Sequence, residues 1–161
     1  MKLISLSQGK FAKVDDGWFD YLNQWKWFYA NGYAQRHTSS KLGKRKLIGM
    51  QNVIYPPPEG MVVDHKDTDG LNNQATNLRH ATCSQNGYNR KKDCDNSTGY
   101  KGVVKIKPSK KWKNPGNRWR ASIKVNGKTF CLGTYSNPID AALAYDDSAR
   151  RNFGEFAKTN F

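Results

Sequence analysis

The segment WKWFYANGYAQRHT alternates between apolar and polar positions on both sides of the Asn31-Gly32 pair. A period of two is typical of a strand with one buried face, and Asn-Gly suits a type I′ turn. The pattern predicts a β-hairpin in the first sixty residues, and core packing is favoured over base stacking for its aromatic residues Trp25, Trp27 and Tyr29. KLIGMQNVI predicts a short helix that ends before Pro56.

Two further strands and a helix are predicted between positions 61 and 92. MVVDH is a short apolar strand, KDTDGLNNQATN has the Gly, Asn and Asp of a loop, and LRHAT is a second strand. Thr82 or Ser84 can then cap a helix that runs toward Lys92. The polar stretch RKKDCDNST predicts a linker, assigned to residues 93–99.

The segment 100–161 predicts three antiparallel strands followed by one helix. YKGVVKI, RWRASIKV and KTFCLGTY are the strands, with PSKKWKNPGN as the first loop and Asn126-Gly127 as a tight second turn. NPIDAALAYDDSARRNFG predicts the helix, because Asn137 can cap it, Pro138 suits the first position and Gly154 suits the exit. The predicted apolar stripe of this helix comprises Ile139, Ala142, Leu143, Ala149 and Phe153. The predicted fold class is α+β.

Charge points to the partner of the chain. The 161 residues contain 27 Lys and Arg against 13 Asp and Glu, which gives a net charge of +14 and a pI near 9.8. From Lys101 to Cys131 there are eight lysines, two arginines and no acid. Such an excess predicts a polyanionic partner, and nucleic acid is favoured over a membrane surface because no amphipathic basic helix is visible.

Other bulk properties argue against several classes of protein. No run of about 18 apolar residues is present, and MKLISLSQGK lacks the apolar stretch of a secretory signal. Cys83, Cys94 and Cys131 form no CxxC pair, which argues against a thiolate zinc site and a disulfide framework. We expect a reducing, cytoplasmic location, no membrane association and no small-molecule substrate.

Four interpretations compete for residues 62–89, where an apolar strand ends on Asp64-His65 and five asparagines follow. An EF-hand calcium loop aligned on the DTDG glycine lacks the bidentate glutamate at its last position, and this interpretation fails. A zinc site needs more His or Cys than the segment contains. A polar loop with Asx turns accounts for the Asn72-Asn73 pair, but not for Asp64-His65 at a strand end or for two asparagines on a helix.

The fourth interpretation is a one-metal nuclease site. Asp64 offers a carboxylate oxygen and Asn86 a carbonyl oxygen, which are ligands that suit Mg²⁺ or Mn²⁺. His65, with an ordinary pKa of about 6.5, can be neutral at physiological pH and take a proton from water. Neighbouring side chains of a strand point to opposite faces, so both serve one site only if the strand ends there and Lys66 already lies in the loop.

VDHKDTDGLNNQATNLRHATCSQNGYN resembles the HNH nucleases, in the subgroup common among phage and intron homing endonucleases. There a DH pair, an N-L-R segment and a later helix asparagine make the ββα-metal motif. The resemblance implies an HNH nuclease domain over residues 1–92, with residues 61–92 as the motif itself. By position it implies that His65 is the general base, that Asn77 braces the loop and holds the histidine, that Asp64 and Asn86 are metal ligands, and that Asn89 and Arg90 contact phosphate.

The segment 100–161 resembles the plant APETALA/ethylene-response-factor DNA-binding domain in YKGVV, RWRASI, LGTY, AALAYD and GEFAKTNF. In that family the sheet lies in the major groove. Lys101 and Val104 replace the two arginines of the usual YRGVR, so the plant sequence preference does not carry over. The polar face of the second strand, which holds Arg120, Ser122 and Lys124, is the predicted DNA face. The residues expected to meet DNA are Lys101, Lys105, Lys107, Arg118, Trp119, Arg120, Lys124 and Lys128, with Arg118 and Arg120 best suited to base reading.

Together these predictions describe a homing-type DNA endonuclease of a phage or mobile element. An N-terminal cutting unit would use Mg²⁺ or Mn²⁺, and a C-terminal anchor would bind double-stranded DNA. The alternatives are a transcriptional regulator whose HNH-like half is inert and a protein that binds structured RNA. The sequence leaves open whether a monomer nicks one strand or a dimer cuts both.

Overall fold

The computed structural model describes residues 1–38, 45–92, 95–107 and 116–161. The chain is α+β and contains several small antiparallel sheets. It divides into two compact units, Met1–Cys83 and Ser84–Phe161, termed here the N-terminal unit and the C-terminal unit. Part of the predicted linker 93–99, including Cys94, and most of the predicted loop PSKKWKNPGN lie outside the described residues. Within the described residues, no helix is long and apolar enough to cross a lipid bilayer.

The N-terminal unit is built from short strands and short helices. In chain order these are β1 (Lys2–Ser5), β2 (Phe11–Val14), α1 (Asp16–Leu22), β3 (Phe28–Ala30), β4 (Tyr33–His37), β5 (Leu47–Gly49), α2 (Met50–Ile54), β6 (Val62–His65) and β7 (Leu78–Ala81). β1 pairs with β2, β4 lies between β3 and β5, and β6 pairs with β7, in each case antiparallel.

The predicted hairpin is confirmed as β3 and β4. The connecting Asn31 and Gly32 have φ of 51° and 89°, the left-handed values of a type I′ turn. Trp27 is buried just before β3 and donates its indole Nε1–H to the Leu22 carbonyl at 2.8 Å. The helix predicted for KLIGMQNVI is wrong in its first half. There β5 pairs with β4, because cross-strand pairing outweighs the local preference, and only α2 is helical.

One hydrophobic core joins the first sixty residues to the β6–β7 pair. Its buried members are Ile4, Leu6, Ala12, Val14, Leu22, Trp27, Ala34, Met50, Ile54, Val63 and Leu78. Removing these side chains from water is the main favourable contribution to folding. The N-terminal segment is therefore the support on which β6 and β7 rest.

The C-terminal unit contains one sheet and one long helix. Its elements are α3 (Cys83–Tyr88), of which all but the first residue belong to it, β8 (Val103–Ile106), β9 (Arg118–Val125), β10 (Lys128–Tyr135) and α4 (Pro138–Phe153). β9 lies between β8 and β10 in an antiparallel sheet. Asn126 and Gly127 have φ of 49° and 80°, so the predicted tight turn between β9 and β10 is confirmed.

α3 is shorter than the predicted helix, which ran toward Lys92. It contains Gly87, a poor helix former, and the Arg90 amide donates to the Gly87 carbonyl just past its end. The ammonium of Lys101 donates to the carbonyls of Tyr88 and Arg90, at 2.7 Å each. These contacts satisfy carbonyls that a longer helix would have paired internally.

α4 begins and ends where its caps predict. Asn137 Oδ1 accepts the Ile139 amide at 2.9 Å, and Gly154 ends the helix with φ of 53°. The predicted apolar stripe is wrong at Ile139 and Leu143, which are exposed. The helix instead buries Ala141, Ala142, Tyr145, Ala149 and Phe153. Alanines on more than one face leave the helical period ambiguous, and contact with the sheet decides which face is buried.

Candidate active site

β6 ends on two buried polar residues. Asp64 and His65 are each 4% exposed at the point where the strand gives way to the loop, and Lys66 already lies in that loop. The strand therefore ends at His65, which is the condition set by the sequence analysis for Asp64 and His65 to serve one site. Across the strand pair, Asp64 lies opposite Arg79 and His65 lies opposite Leu78.

Arg79 forms a buried ion pair with Asp64. The Nε and Nη2 atoms of Arg79 both lie 2.8 Å from Asp64 Oδ2. A carboxylate removed from water needs such a partner, because an unpaired buried charge is strongly destabilising. Arg79 therefore compensates the buried charge and holds one oxygen of Asp64 in place.

His65 is held by an amide and lies beside an aromatic ring. Its Nε2 is 3.2 Å from Oδ1 of Asn73, and its ring centroid is 5.8 Å from that of Tyr33. Burial lowers the pKa of His65 below its ordinary value, against the opposing effects of the Asn73 hydrogen bond and of nearby carboxylates such as Asp67. A lowered pKa favours the neutral imidazole, which is the state that accepts a proton.

The loop after His65 is closed by Asp67 and Asn77. Asn77 Nδ2 donates to Asp67 Oδ1 at 2.9 Å and to the Asn72 carbonyl at 2.8 Å, while Asn77 Oδ1 accepts the Asp67 amide at 3.1 Å. Burial by itself raises the pKa of Asp67, but hydrogen bonds from Asn72, the Asp69 amide and Asn77 outweigh it and bring that pKa below its ordinary value. The Asn77 side chain thus contacts the loop, whereas the side chain at the imidazole is that of Asn73.

Residues near the start of the chain hold this loop in place. The Lys13 carbonyl at β2 accepts the Asn73 amide at 2.8 Å. The Asp15 carboxylate accepts the Ala75 amide at 2.8 Å. The sequence pattern did not point to these contacts, because no spacing rule connects residues sixty positions apart.

Two more contacts were missed from the sequence. The first is the ion pair of Arg79 with Asp64. Arg79 lies in the N-L-R segment, and a cation on the strand next to the one that carries Asp64 could have predicted this pair. The second is the contact of Asn73 with His65. Nothing in the sequence distinguishes Asn73 from its neighbour Asn72, since both residues suit a turn. Only the folded loop distinguishes the two, because it buries Asn73 against the imidazole.

The remaining predicted nuclease residues lie in the C-terminal unit. Asn86 is half-buried on α3, Asn89 is buried just beyond the helix, and Arg90 is exposed. The last residue of α3, Tyr88, stacks on Phe153 of α4 with ring centroids 3.8 Å apart. That Asp64 and Asn86 share one metal ion stays a prediction.

The predicted donors suit a hard divalent cation. Asp64 offers carboxylate oxygens, and Asn86 offers a neutral carboxamide oxygen. Across residues 1–38, 45–92, 95–107 and 116–161, no three His, Cys, Asp or Glu side chains form a cluster able to hold a metal. A site with one acid and one amide fits Mg²⁺ or Mn²⁺, because these ions keep several waters.

The exposed face of the C-terminal sheet carries cations. Arg118, Arg120 and Lys124 alternate along β9 with the buried Ala121 and Ile123, so they point away from α4. Arg120 has Val104 of β8 and Thr134 of β10 as its cross-strand neighbours. This face therefore combines guanidinium groups with the small side chains of Val104 and Thr134.

Four of the other residues predicted to meet DNA, Trp119 among them, do not share that face. Lys105 lies opposite Trp119 and Lys128 lies opposite Val125, and both of these partners pack against α4. Lys101 donates to backbone carbonyls, as described above. Strand alternation thus places Lys105, Trp119 and Lys128 on the face that packs against α4, and contact of the eight residues with DNA stays a prediction.

Comparison with known proteins identifies the β6–loop–β7 region. Residues 55–88 match the family described as HNH endonuclease. The chain is 31% identical to an uncharacterized HNH endonuclease of Acanthamoeba polyphaga mimivirus over 98% of this chain and 79% of that protein. It is 33% identical to Protein 3.8 of Escherichia phage T7 over 73% of this chain and 91% of that protein. The chain belongs to the HNH endonuclease family, whose members act on DNA with a divalent metal.

A further relative is similar to part of the chain. Over 78 residues the chain is 36% identical to an AP2/ERF and B3 domain-containing transcription repressor of Arabidopsis thaliana. The match covers 48% of this chain and 19% of that protein. The likeness therefore concerns one portion of each.

Proposed function

We propose that the chain is a site-directed DNA endonuclease that hydrolyses phosphodiester bonds with one divalent metal ion and His65 as general base. The observation that carries this proposal is the buried end of β6. There His65, whose pKa is lowered by burial, is hydrogen-bonded to Asn73 and adjoins Asp64, which is ion-paired to Arg79. An imidazole that is neutral and already oriented is ready to take a proton from an attacking water.

Asp64 and Asn86 hold the metal ion in this proposal. When bound, a hard divalent cation neutralises charge on the phosphate and on the leaving 3′ oxygen. Arg79 orients Asp64 for that task, and Asn77 keeps the loop after His65 closed. Asn89 and Arg90 are assigned to phosphate, for which a guanidinium can supply two parallel hydrogen bonds.

The C-terminal unit anchors the enzyme in our proposal. Its sheet exposes Arg118 and Arg120, which can read guanine through two hydrogen bonds, and Lys124, which can meet phosphate. The partial likeness to the plant repressor supports an ethylene-response-factor-type DNA-binding domain. The viral and phage relatives support a homing-type enzyme of a mobile element, acting in the cytoplasm of the host cell.

Plasmid nicking tests the nuclease proposal. Supercoiled plasmid is incubated with the full chain and Mg²⁺ or Mn²⁺, and then with EDTA. We expect metal-dependent conversion to nicked or linear DNA, with His65→Ala slower by about 10²- to 10⁴-fold and DNA binding retained. His37→Ala is the control, because His37 is an exposed histidine that contacts Phe28. Cleavage by His65→Ala at the wild-type rate would remove His65 from the mechanism.

A DNA-binding regulator is the second candidate, and the likeness to a transcription repressor favours it. In that case the HNH half would be inert. Tight binding of duplex DNA with no cleavage under any divalent metal would select this candidate. Metal-dependent cleavage would eliminate it.

A further inference from the structure

Asn73 is the least exposed polar residue next to His65. Its relative exposure is 0%, and its Oδ1 lies 3.2 Å from His65 Nε2. Its Nδ2 is buried and has no hydrogen-bond partner in the part of the chain that the structure describes. Burying a carboxamide nitrogen without a partner costs free energy, and in native proteins such groups call for a specific reason.

The backbone of Asn73 is tied to the core of the N-terminal unit. The Asn73 amide donates to the Lys13 carbonyl at 2.8 Å, and the Lys13 amide donates to the Leu71 carbonyl at the same distance. Lys13 and Asn72 form a parallel bridge, which extends the β1–β2 sheet onto the loop. The position of the Asn73 side chain is therefore set before any substrate binds.

We propose that Asn73 is a positioning residue that selects the tautomer of His65 in which Nε2 carries the proton and Nδ1 is the basic nitrogen. A neutral imidazole has one N–H, and the hydrogen bond made by one ring nitrogen decides where that proton sits. A carboxamide oxygen only accepts, so Asn73 Oδ1 pairs with Nε2–H. The catalytic meaning of this inference rests on the proposed function, in which His65 is the base.

In this tautomer, Nδ1 of His65 takes the proton from the attacking water. An O–H bond of water breaks as its oxygen attacks phosphorus, the proton forms a new N–H bond at Nδ1, and the 3′ oxygen leaves with the electrons of its bond to phosphorus. Nε2–H stays hydrogen-bonded to Asn73 throughout. As the ring becomes an imidazolium, that hydrogen bond strengthens, because its donor then carries charge.

Side-chain NMR of the ¹⁵N-labelled full chain tests the tautomer without relying on activity. Long-range ¹H–¹⁵N spectra recorded above the pKa of His65 separate protonated from unprotonated ring nitrogens. The signals of His65 are identified by their disappearance in His65→Gln. We expect protonated Nε2 and unprotonated Nδ1. Rotating the Asn73 amide by 180° would set its NH₂ against Nε2 and require the opposite tautomer, so protonated Nδ1 in the wild type would overturn the proposal.

Two variants connect the tautomer to turnover. Asn73→Leu keeps the size of the side chain and removes the acceptor, so we expect mixed tautomers and a kcat lower by about 10- to 100-fold with KM little changed. Asn73→Asp keeps an acceptor oxygen and is expected to restore the Nε2–H tautomer and most of kcat. An Asn73→Leu spectrum with the wild-type tautomer would also overturn the proposal.

A stability control separates positioning from general destabilisation. Val14→Ala removes a fully buried aliphatic side chain of the same core and is expected to lower stability while kcat of the folded enzyme and the His65 spectrum stay unchanged. If kcat decreases in Val14→Ala as much as in Asn73→Leu, the role of Asn73 is merely structural. If the wild type cleaves no DNA, the proposed function fails, whereas the tautomer is still decided by NMR.

Discussion

At the scale of single residues, the Asp64–Arg79 pair combines two tasks that oppose each other. In the proposed site Asp64 would hold the metal ion as an ionised carboxylate, whereas a strand end packed against a hydrophobic core is a costly place for charge. Arg79 resolves the conflict with two donors, each 2.8 Å from the same carboxylate oxygen. An arginine suits this position because its guanidinium stays charged and offers several donors in a rigid plane.

We expect Arg79→Leu to lower the free energy of unfolding by about 3 kcal/mol, because it leaves a buried carboxylate unpaired. The double variant Asp64→Asn/Arg79→Leu should recover much of that stability. Chemical denaturation measures both. Arg151→Leu is the control, since Arg151 pairs with Asp147 at an exposed site and such pairs contribute little. Equal destabilisation by the two single variants would contradict this account.

At the scale of elements, the loop between β6 and β7 is held by the N-terminal segment. Asp15 occupies the N-cap position of α1, but its side chain makes no capping bond there. Its carboxylate instead accepts a hydrogen bond from the Ala75 amide, at the start of the turn that contains Asn77. The first strands and helix of the chain thus contribute directly to the geometry of the candidate site.

Asp15→Ala is expected to destabilise the N-terminal unit by about 1 kcal/mol, because the Ala75 amide loses its acceptor. Amide hydrogen exchange should become faster at Ala75 and Asn77 and stay unchanged along β9. Asp20→Ala provides the control, as Asp20 is exposed on the same helix. Exchange rates at Ala75 that match those of the wild type would show that Asp15 does not hold the turn.

At the scale of the whole molecule, the net charge of +14 favours binding to a polyanion. The cationic residues of the C-terminal sheet are divided between its two faces. Arg118 and Arg120 lie on the exposed face of the sheet, while Lys105 and Lys128 lie on the face that packs against α4. A DNA duplex that binds the exposed face should contact these arginines directly. Charge on the other face contributes mainly through the long-range field.

Two double variants that remove the same charge test this arrangement. Arg118→Ala/Arg120→Ala is expected to weaken duplex binding strongly and to reduce the slope of log K against log[salt] by about 1 for each phosphate that is no longer neutralised. Lys105→Ala/Lys128→Ala should weaken binding less and leave sequence preference unchanged. Fluorescence anisotropy at several salt concentrations gives both slopes. Equal effects would mean that net charge alone drives binding.

Local rules predicted many of the elements. Asn-Gly pairs marked both hairpin turns, because only residues that tolerate positive φ fit there, and Asn137 and Gly154 marked both ends of α4. The same rules failed for β5, where pairing with β4 overrode the helical pattern, and for the buried face of α4. In both cases the deciding contact lay outside the local segment.

The sequence by itself determined where strands, turns and caps occur, the basic character of the C-terminal segment and the Asp64-His65 pair at a strand end. These depend on backbone conformations and charges that each short segment carries with it. Only the tertiary structure decided that Arg79 pairs with Asp64, that Asn73 meets His65 and that Asp15 holds the loop. Such contacts join residues distant along the chain, and burial strengthens them once folding has excluded water.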